Sequence, residues 1–408
     1  MLRDKLKLLN SNIEQKTLYA ALFLMCFTLA APVFNALTST ATVLALLALI
    51  YYCYKHKTIG LGKIPVSIYL GLAVFAAAII ASSLAIGDKK SLSYAFRFIY
   101  WLLPLFVMFL LNKAAGRSNV VFYGFNAALL VSSVAAVVEF WNTDAPRLTG
   151  IYGHPNHYAS MLAIILPVCT ALFIGYYKEK HDSSLTLFAL MNILLGFATL
   201  IRTGSRGGVI GVCLGLILAL FFYALKQKAK KVLLAALVLA VAAVPVYQFN
   251  SSYFFRSRAS SELVIPYDAQ RLYFLEGSYH MWQDHKAFGV GLANWHEQYV
   301  TKYMPPRAKT RYDMPHNMYV YFFSTAGTVG GVGFLLLWLA IFLYFFRNLL
   351  PLNAGGITSF AMLWVFFSIS VHGGVDIGLT NKLVARLFFG TLGIMLAEVW
   401  RLKQQGKP

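Results

Sequence analysis

Apolar runs of about twenty residues recur along this 408-residue chain, separated by short polar or glycine-rich breaks. A helix rising 1.5 Å per residue crosses a bilayer in about twenty such residues, and in lipid only a helix or a closed barrel satisfies its own backbone. The chain is 59% hydrophobic and only 12% charged, about half the charge of an ordinary soluble domain. The runs predict spans at 17–36, 38–54, 64–86, 92–111, 119–140, 158–177, 184–202, 207–225, 232–249, 317–346, 357–372 and 382–400. The expected fold is therefore an all-α polytopic membrane protein with about twelve transmembrane helices in one membrane domain. Residues 1–249 carry the first nine helices, 250–315 form a large, partly helical loop, and 316–408 carry the last three helices and a tail.

A formal charge of +20 from 35 Lys and Arg against 15 Asp and Glu would suggest nucleic acid in a soluble protein. Here the distribution along the chain points to the membrane instead, because basic residues gather in short cytoplasmic loops. With the N-terminus inside, 19 of the 35 basic residues fall on the cytoplasmic side, among them Lys5, Lys16, Lys55, Lys113, Lys226, Lys231, Arg347 and Arg401. Both termini are expected in the cytoplasm and the 250–315 loop on the opposite side. No nucleic-acid module is present. The four cysteines, Cys26, Cys53, Cys169 and Cys213, lie in apolar runs without metal-ligand spacing.

The long loop is more than a turn. Leu272, Leu275, Tyr279 and Trp282 recur at helical spacing, which predicts an amphipathic helix resting on the membrane domain or at the lipid interface. Residues 250–267 and 301–312 read as irregular backbone able to move as a lid.

Reactive residue types cluster on the side of that loop. Arg147 to His157 contains His154 and His157 before the sixth span, and Arg202-Thr-Gly-Ser205-Arg206-Gly-Gly joins the seventh to the eighth. Arg271 lies in the loop helix, with Arg307 to Arg311 further on, and His316-Asn317 opens the tenth span. Guanidinium groups offer planar forks of donors matched to phosphate oxygens. Glycines beside Arg206 would let a phosphate reach the backbone, and the start of the eighth helix adds partial positive charge. Snorkelling of arginines to lipid headgroups accounts for the same residues. A histidine at a helix start is kept neutral by the helix dipole, as a general base requires, and a purely hydrogen-bonding role there is equally consistent with His316. His154-Pro155-Asn156 also reads as a turn and cap. No metal site, Walker loop, GxSxG elbow or CxxC pair is present, and Gly289-Val-Gly291 reads as a loop turn.

His316-Asn317, nine residues, then Gly327-Thr-Val-Gly330 resembles the His-Asn, nine-residue, Gly-x-x-Gly motif of bacterial O-antigen ligases, the WaaL family. The resemblance extends to twelve spans, cytoplasmic termini, a periplasmic loop between helices 9 and 10, the Ser205-Arg206-Gly turn and Arg271. It implies transfer of a glycan from undecaprenyl diphosphate to a sugar hydroxyl of lipid A-core at the periplasmic face of the inner membrane, without metal or other cofactor. By the same resemblance His316 is the base or acceptor-orienting residue, while Arg206 and Arg271 hold the diphosphate as the other catalytic residues. Arg147, Asn317, Arg202, Arg311 and His154 are the expected substrate-binding residues.

Three other activities fit parts of the pattern. O-antigen polymerases and O-linked protein oligosaccharyltransferases use the same donor class with different acceptors. A lipid-linked glycan transporter would use arginines without chemistry, but such sites sit near the bilayer midplane in broken helices, whereas this chain concentrates its charge at helix ends.

Overall fold

A computed structural model gives the fold and describes the chain except residues 1, 34, 58–62, 117, 180–182, 236, 240–266, 310, 353–354 and 406–408. Twelve helices organise it: α1 (Leu2–Ala30), α2 (Asn35–His56), α3 (Val66–Ile86), α4 (Lys89–Ala115), α5 (Ser118–Asn142), α6 (Pro155–Glu179), α7 (Ser183–Arg202), α8 (Arg206–Gln227), α9 (Tyr267–Asp284), α10 (Met318–Arg347), α11 (Ile357–Gly373) and α12 (Lys382–Gln404). There is no strand among the described residues. Nine helices among them are long and apolar enough to span a membrane, and α11 is a shorter apolar helix. The chain is a polytopic, all-α membrane protein.

Ten of the twelve expected spans coincide with α2 to α8 and α10 to α12 to within a few residues. The first needs correction. α1 begins with a charged stretch, its apolar part runs only from residue 17 to Ala30, and the helix stops there rather than at 36. The ninth expected span, 232–249, is helical at 232–235 and 237–239 and otherwise lies outside the described residues, as does the loop's 250–266 stretch.

Close approach between helices sets the packing. α4 lies along α12, α8 along α11 and α3 along α10. A Cβ on Gly393 of α12 would stand 2.1 Å from the carbonyl oxygen of Leu105 in α4, and one on Gly211 of α8 would stand 2.7 Å from that of Ser368 in α11. Lipid gives no hydrophobic reward for helix association, so small residues that let backbones touch are what membrane helices use. α12 and α6 form the centre, with 83% and 72% of their apolar windows buried, while α2 has 22% and shows Leu44, Leu47 and Ile50 outward.

α4, α6, α8, α10 and α12 all begin on one face. Four of these starts are capped by side chains: Asp88 accepts from Lys90 and Ser91, Ser205 from Gly208, Asn317 from Tyr319 and Val320, and Asn381 from Leu383 and Val384. Each cap stabilises its helix by about 1 kcal/mol, and together they orient several positive helix ends toward this face.

The 267–317 segment covers that face. α9 forms where the spacing predicts a helix, but the buried side is Phe274, Gly277, Ser278 and Met281, whereas Leu272 and Tyr279 are exposed. The cause is an aromatic core within the segment itself. Trp295 stacks on Tyr299 at 4.8 Å and donates from its indole to Ser278 at 2.8 Å, and Phe274 packs edge-on against both rings. The expected irregular stretch at 301–312 begins as a π-helical turn, Tyr299–Tyr303.

The segment is pinned at a break inside α10. Gly327 has φ 65° and ψ −168°, which interrupts the helix. The freed carbonyls of Ser324 and Thr325 accept from the backbone N–H groups of Val290 and Gly291 at 3.0 and 2.8 Å, and Thr328 N–H donates to Lys286 O at 2.7 Å. The Gly289-Val290-Gly291 turn thus supplies the N–H groups that satisfy the broken helix, its two glycines at positive φ of 71° and 102°.

Candidate functional site

Arg147, Arg206 and Arg271 come from three separate parts of the chain and line one small polar cavity of about 30 Å³ with Asn156, His372 and Asp376. That volume holds one or two water-sized groups, so in this conformation it fits single phosphate oxygens rather than a whole diphosphate.

Each arginine is placed by local structure. Arg147 donates from Nε to Thr203 O at 2.8 Å and from Nη2 to Asn156 Oδ1 at 2.7 Å, tying the segment before α6 to the α7–α8 turn. Glu139 fixes the next residues by accepting from the backbone N–H of Thr149 and Gly150. Arg206 is the first residue of α8, beyond the Ser205 cap. Arg271 projects from the first turns of α9.

Gly204 and Gly207 line the cavity beside Arg206, and the glycines of this turn also lie close to protein side chains. A Cβ on Gly204 would meet Arg147 Cγ at 3.1 Å, one on Gly207 would meet Val375 at 2.4 Å, and one on Gly208 would meet Ala159 at 2.7 Å. They make room for protein side chains, including those that build the site.

His316 stands beside this cavity rather than in its lining. It is 8% exposed and holds a left-handed backbone conformation, φ 52°, which costs a non-glycine residue about 1–2 kcal/mol. Its ring lies 6.1 Å from that of Phe274 and 5.4 Å from that of Tyr312. Nδ1 is 3.4 Å from Asp376 Oδ1, while Nε2 is buried and makes no hydrogen bond within the described residues. With Nδ1 donating to a carboxylate, the neutral ring carries its lone pair on Nε2, as a base requires.

Asp376 connects the two halves. It is 5% exposed, lines the arginine cavity, and accepts from the Ile377 N–H at 2.8 Å. Burial alone would raise its pKa, but the hydrogen bond from His316, the electrostatic influence of the His372 and His316 rings and the Ile377 N–H outweigh it and hold the carboxyl well below the usual carboxylate range. The group is anionic.

Other expected residues sit elsewhere. Arg202 is exposed and stacks over Phe140 at 4.5 Å, and Arg311 is exposed outside the cavity lining. His154 is exposed and its Nδ1 accepts from the Asn156 N–H at 3.3 Å. Asn317 caps α10 and donates from Nδ2 to Gly374 O at 2.9 Å, joining the start of α10 to the α11–α12 turn. Asp376 and His372 were missed by sequence reasoning. The available signal was a carboxylate in a turn on the reactive side, in a chain with only 15 acidic residues. No group of three His, Cys, Asp or Glu side chains able to hold a metal occurs among the described residues.

Residues 190–335 match the family model described as O-antigen ligase. The chain carries an O-antigen ligase family domain. The match runs from α7 into α10 and contains Arg206, Arg271, His316 and the Gly327 break; Arg147, His372 and Asp376 reach the same site from outside it. A Haemophilus influenzae protein described only as uncharacterized is 26% identical over 331 residues, covering 75% of this chain and 79% of that protein. The match supports a function of the O-antigen ligase or polymerase type, that of a membrane glycosyltransferase-like enzyme.

Proposed function

We propose that this chain is an O-antigen ligase that transfers a glycan from undecaprenyl diphosphate to a sugar hydroxyl of lipid A-core. One observation carries the reading: three arginines line a cavity whose carboxylate, Asp376, is also the partner of His316. Cationic donors that bind phosphate oxygens and a neutral imidazole that removes a proton are the two functions such a transfer needs.

In the proposed step the acceptor oxygen bonds to the anomeric carbon while the bond from that carbon to the diphosphate oxygen breaks. The hydroxyl proton passes to His316 Nε2 and the electron pair leaves on the diphosphate, where Arg206, Arg271 and Arg147 stabilise it. Displacement from the opposite side inverts the anomeric centre. The donor already contains its activation energy, so positioning and leaving-group stabilisation suffice without a cofactor.

The donor's tail has an approach of matching chemistry. An apolar groove of about 290 Å³ runs between α9 and α10, lined by Leu275, Tyr279, Trp282, Tyr319, Val320 and Phe323. Leu275 is one helical turn beyond Arg271. The exposed stripe of Val332, Leu335, Leu336 and Leu339 continues along α10 into the apolar belt. This reading puts the site at the periplasmic face of the inner membrane, with both termini cytoplasmic.

The test is reconstitution of the purified chain with a polyprenyl-diphosphate glycan and lipid A-core. The expected product is the inverted glycan on lipid A-core. A lengthened lipid-linked glycan would instead identify a polymerase, a glycosylated protein acceptor an oligosaccharyltransferase, and movement of intact donor across the bilayer a transporter.

A further inference from the structure

His372 neither holds the donor nor deprotonates the acceptor in this scheme, yet it is only 2% exposed and lies at the last turn of α11 beside the cavity. It fills space that α8 leaves open: a Cβ on Gly207 would come within 3.0 Å of its ring, and one on Gly211 within 3.2 Å of its Cβ. The ring spans two polar groups. Nδ1 is 3.3 Å from Ser160 Oγ, and Nε2 is 3.7 Å from Asp376 Oδ2.

The Asp376 carboxylate beside Nε2 fixes the His372 tautomer: the proton sits on Nε2, facing Oδ2, and Nδ1 carries the lone pair. The Ser160 hydroxyl, 2.9 Å from Asn156 O and 3.3 Å from Nδ1, is shared between these two acceptors and so anchors the ring. On the other side, Asp376 Oδ1 is held by the Ile377 N–H and by His316, whereas Oδ2 is buried with no hydrogen bond among the described residues. Arg147, Arg206 and Arg271 line the same cavity as this carboxylate. A short turn of backbone does not by itself stop the carboxylate rotating toward them.

We infer that His372 is a positioning residue: anchored by Ser160, it holds Asp376 from the side opposite His316, so that Oδ1 keeps the His316 ring turned with Nε2 toward the acceptor. The inference rests on the reading of His316 as the base. It gives the i, i+4 pair His372 and Asp376 a joint task that neither side chain performs alone. Misplacing a base by about 1 Å costs on the order of 10²-fold in rate.

The test uses the full chain in nanodiscs, comparing wild type with His372→Leu, which fills the space without a polar nitrogen, and His372→Gln, whose amide N–H falls near Nε2. Turnover of saturating donor and acceptor is expected to drop about 10²-fold in the Leu variant with KM changed by no more than about twofold, and to recover most of that loss in the Gln variant. Nitrogen-15 histidine spectra, with His316 assigned by its loss in His316→Gln, are expected to show one Nδ1-protonated tautomer in wild type and a mixture in His372→Leu. Wild-type turnover in the Leu variant, equal impairment of Leu and Gln, or an unchanged His316 tautomer would each overturn the inference. A wild-type chain that transfers no glycan refutes the proposed function and leaves the tautomer spectra to decide the role of His372. If His372→Leu does not assemble, Ser160→Ala severs the anchor with a smaller change, and the same spectral shift or its absence decides.

Discussion

His316 Nδ1 lies 3.4 Å from Asp376 Oδ1 across sixty residues of sequence, and His316 reaches that carboxylate only by adopting a left-handed backbone conformation. Conformations of this kind persist where the surrounding structure holds them, and they gather at functional sites. The ring packs beside Phe274 and Tyr312, and its Nε2 makes no hydrogen bond among the described residues.

Replacing His316 should therefore separate folding from chemistry. His316→Gly relieves a left-handed cost of about 1 kcal/mol but gives up the buried contacts with Phe274, Tyr312 and Asp376, so it is expected to be no more stable than wild type, while abolishing glycan transfer. His316→Ala should insert normally and be equally inactive. Thermal unfolding in detergent, read beside transfer of a lipid-linked glycan, checks both; near-normal ligation by either variant defeats the role of the imidazole as base.

Asp376→Asn keeps the shape of the side chain and removes its charge. Transfer is expected to fall by about 10²-fold or more in kcat, with donor KM little changed, since the carboxylate acts through His316 rather than on the diphosphate. Steady-state kinetics with varied donor would show the split, and a rise in KM alone would reassign Asp376 to donor binding.

The arginines should divide into two groups. Arg206→Lys and Arg271→Lys lose the planar fork and are expected to cost at least about tenfold in kcat/KM. Arg202→Ala, whose guanidinium lies on Phe140 at the surface, should change it by no more than about twofold. Parallel complementation of a ligase-deficient strain gives a first comparison, followed by kinetics on purified protein.

Gly327→Ala should be among the most damaging single substitutions outside the site. The residue sits at φ 65°, and a Cβ there would come 2.2 Å from the carbonyl oxygen of Ala287. Backbone strain and overpacking together are expected to cost about 2–4 kcal/mol and to loosen the 267–317 segment. Hydrogen exchange at Val290 and Gly291, whose N–H groups bond to the broken helix, should accelerate. Protection equal to wild type would show that another contact holds the segment down.

The spans were legible in the sequence because a long apolar run in lipid has one local solution, and four of their starts fall at caps, Asp88, Ser205, Asn317 and Asn381. Strict alternation of sides then assigned Arg147, Arg206 and His316 to one face before any contact was known. The first expected span runs past a break that the sequence itself carries: Pro32 follows Ala30 by two residues, and a helix ends at or before the residue preceding a proline. The period of α9 gives its apolar stripe, and Leu275, Tyr279 and Trp282 do line the groove against α10; its second, buried side is not legible, since Phe274 answers to Trp295 and Tyr299 within the same segment.

What the sequence by itself determined is an all-helical membrane chain with its arginines and histidines at helix starts on the loop side and a His-Asn motif spaced ahead of two glycines. Only the tertiary structure decided that Arg147, Arg206 and Arg271 share a cavity while Arg202 and Arg311 do not, that Asp376 joins this cavity to His316, and that His372 backs Asp376. The reason is physical: hydropathy and capping act over neighbouring residues, whereas these pairings join side chains brought together by glycine-mediated contact between helices distant in the chain.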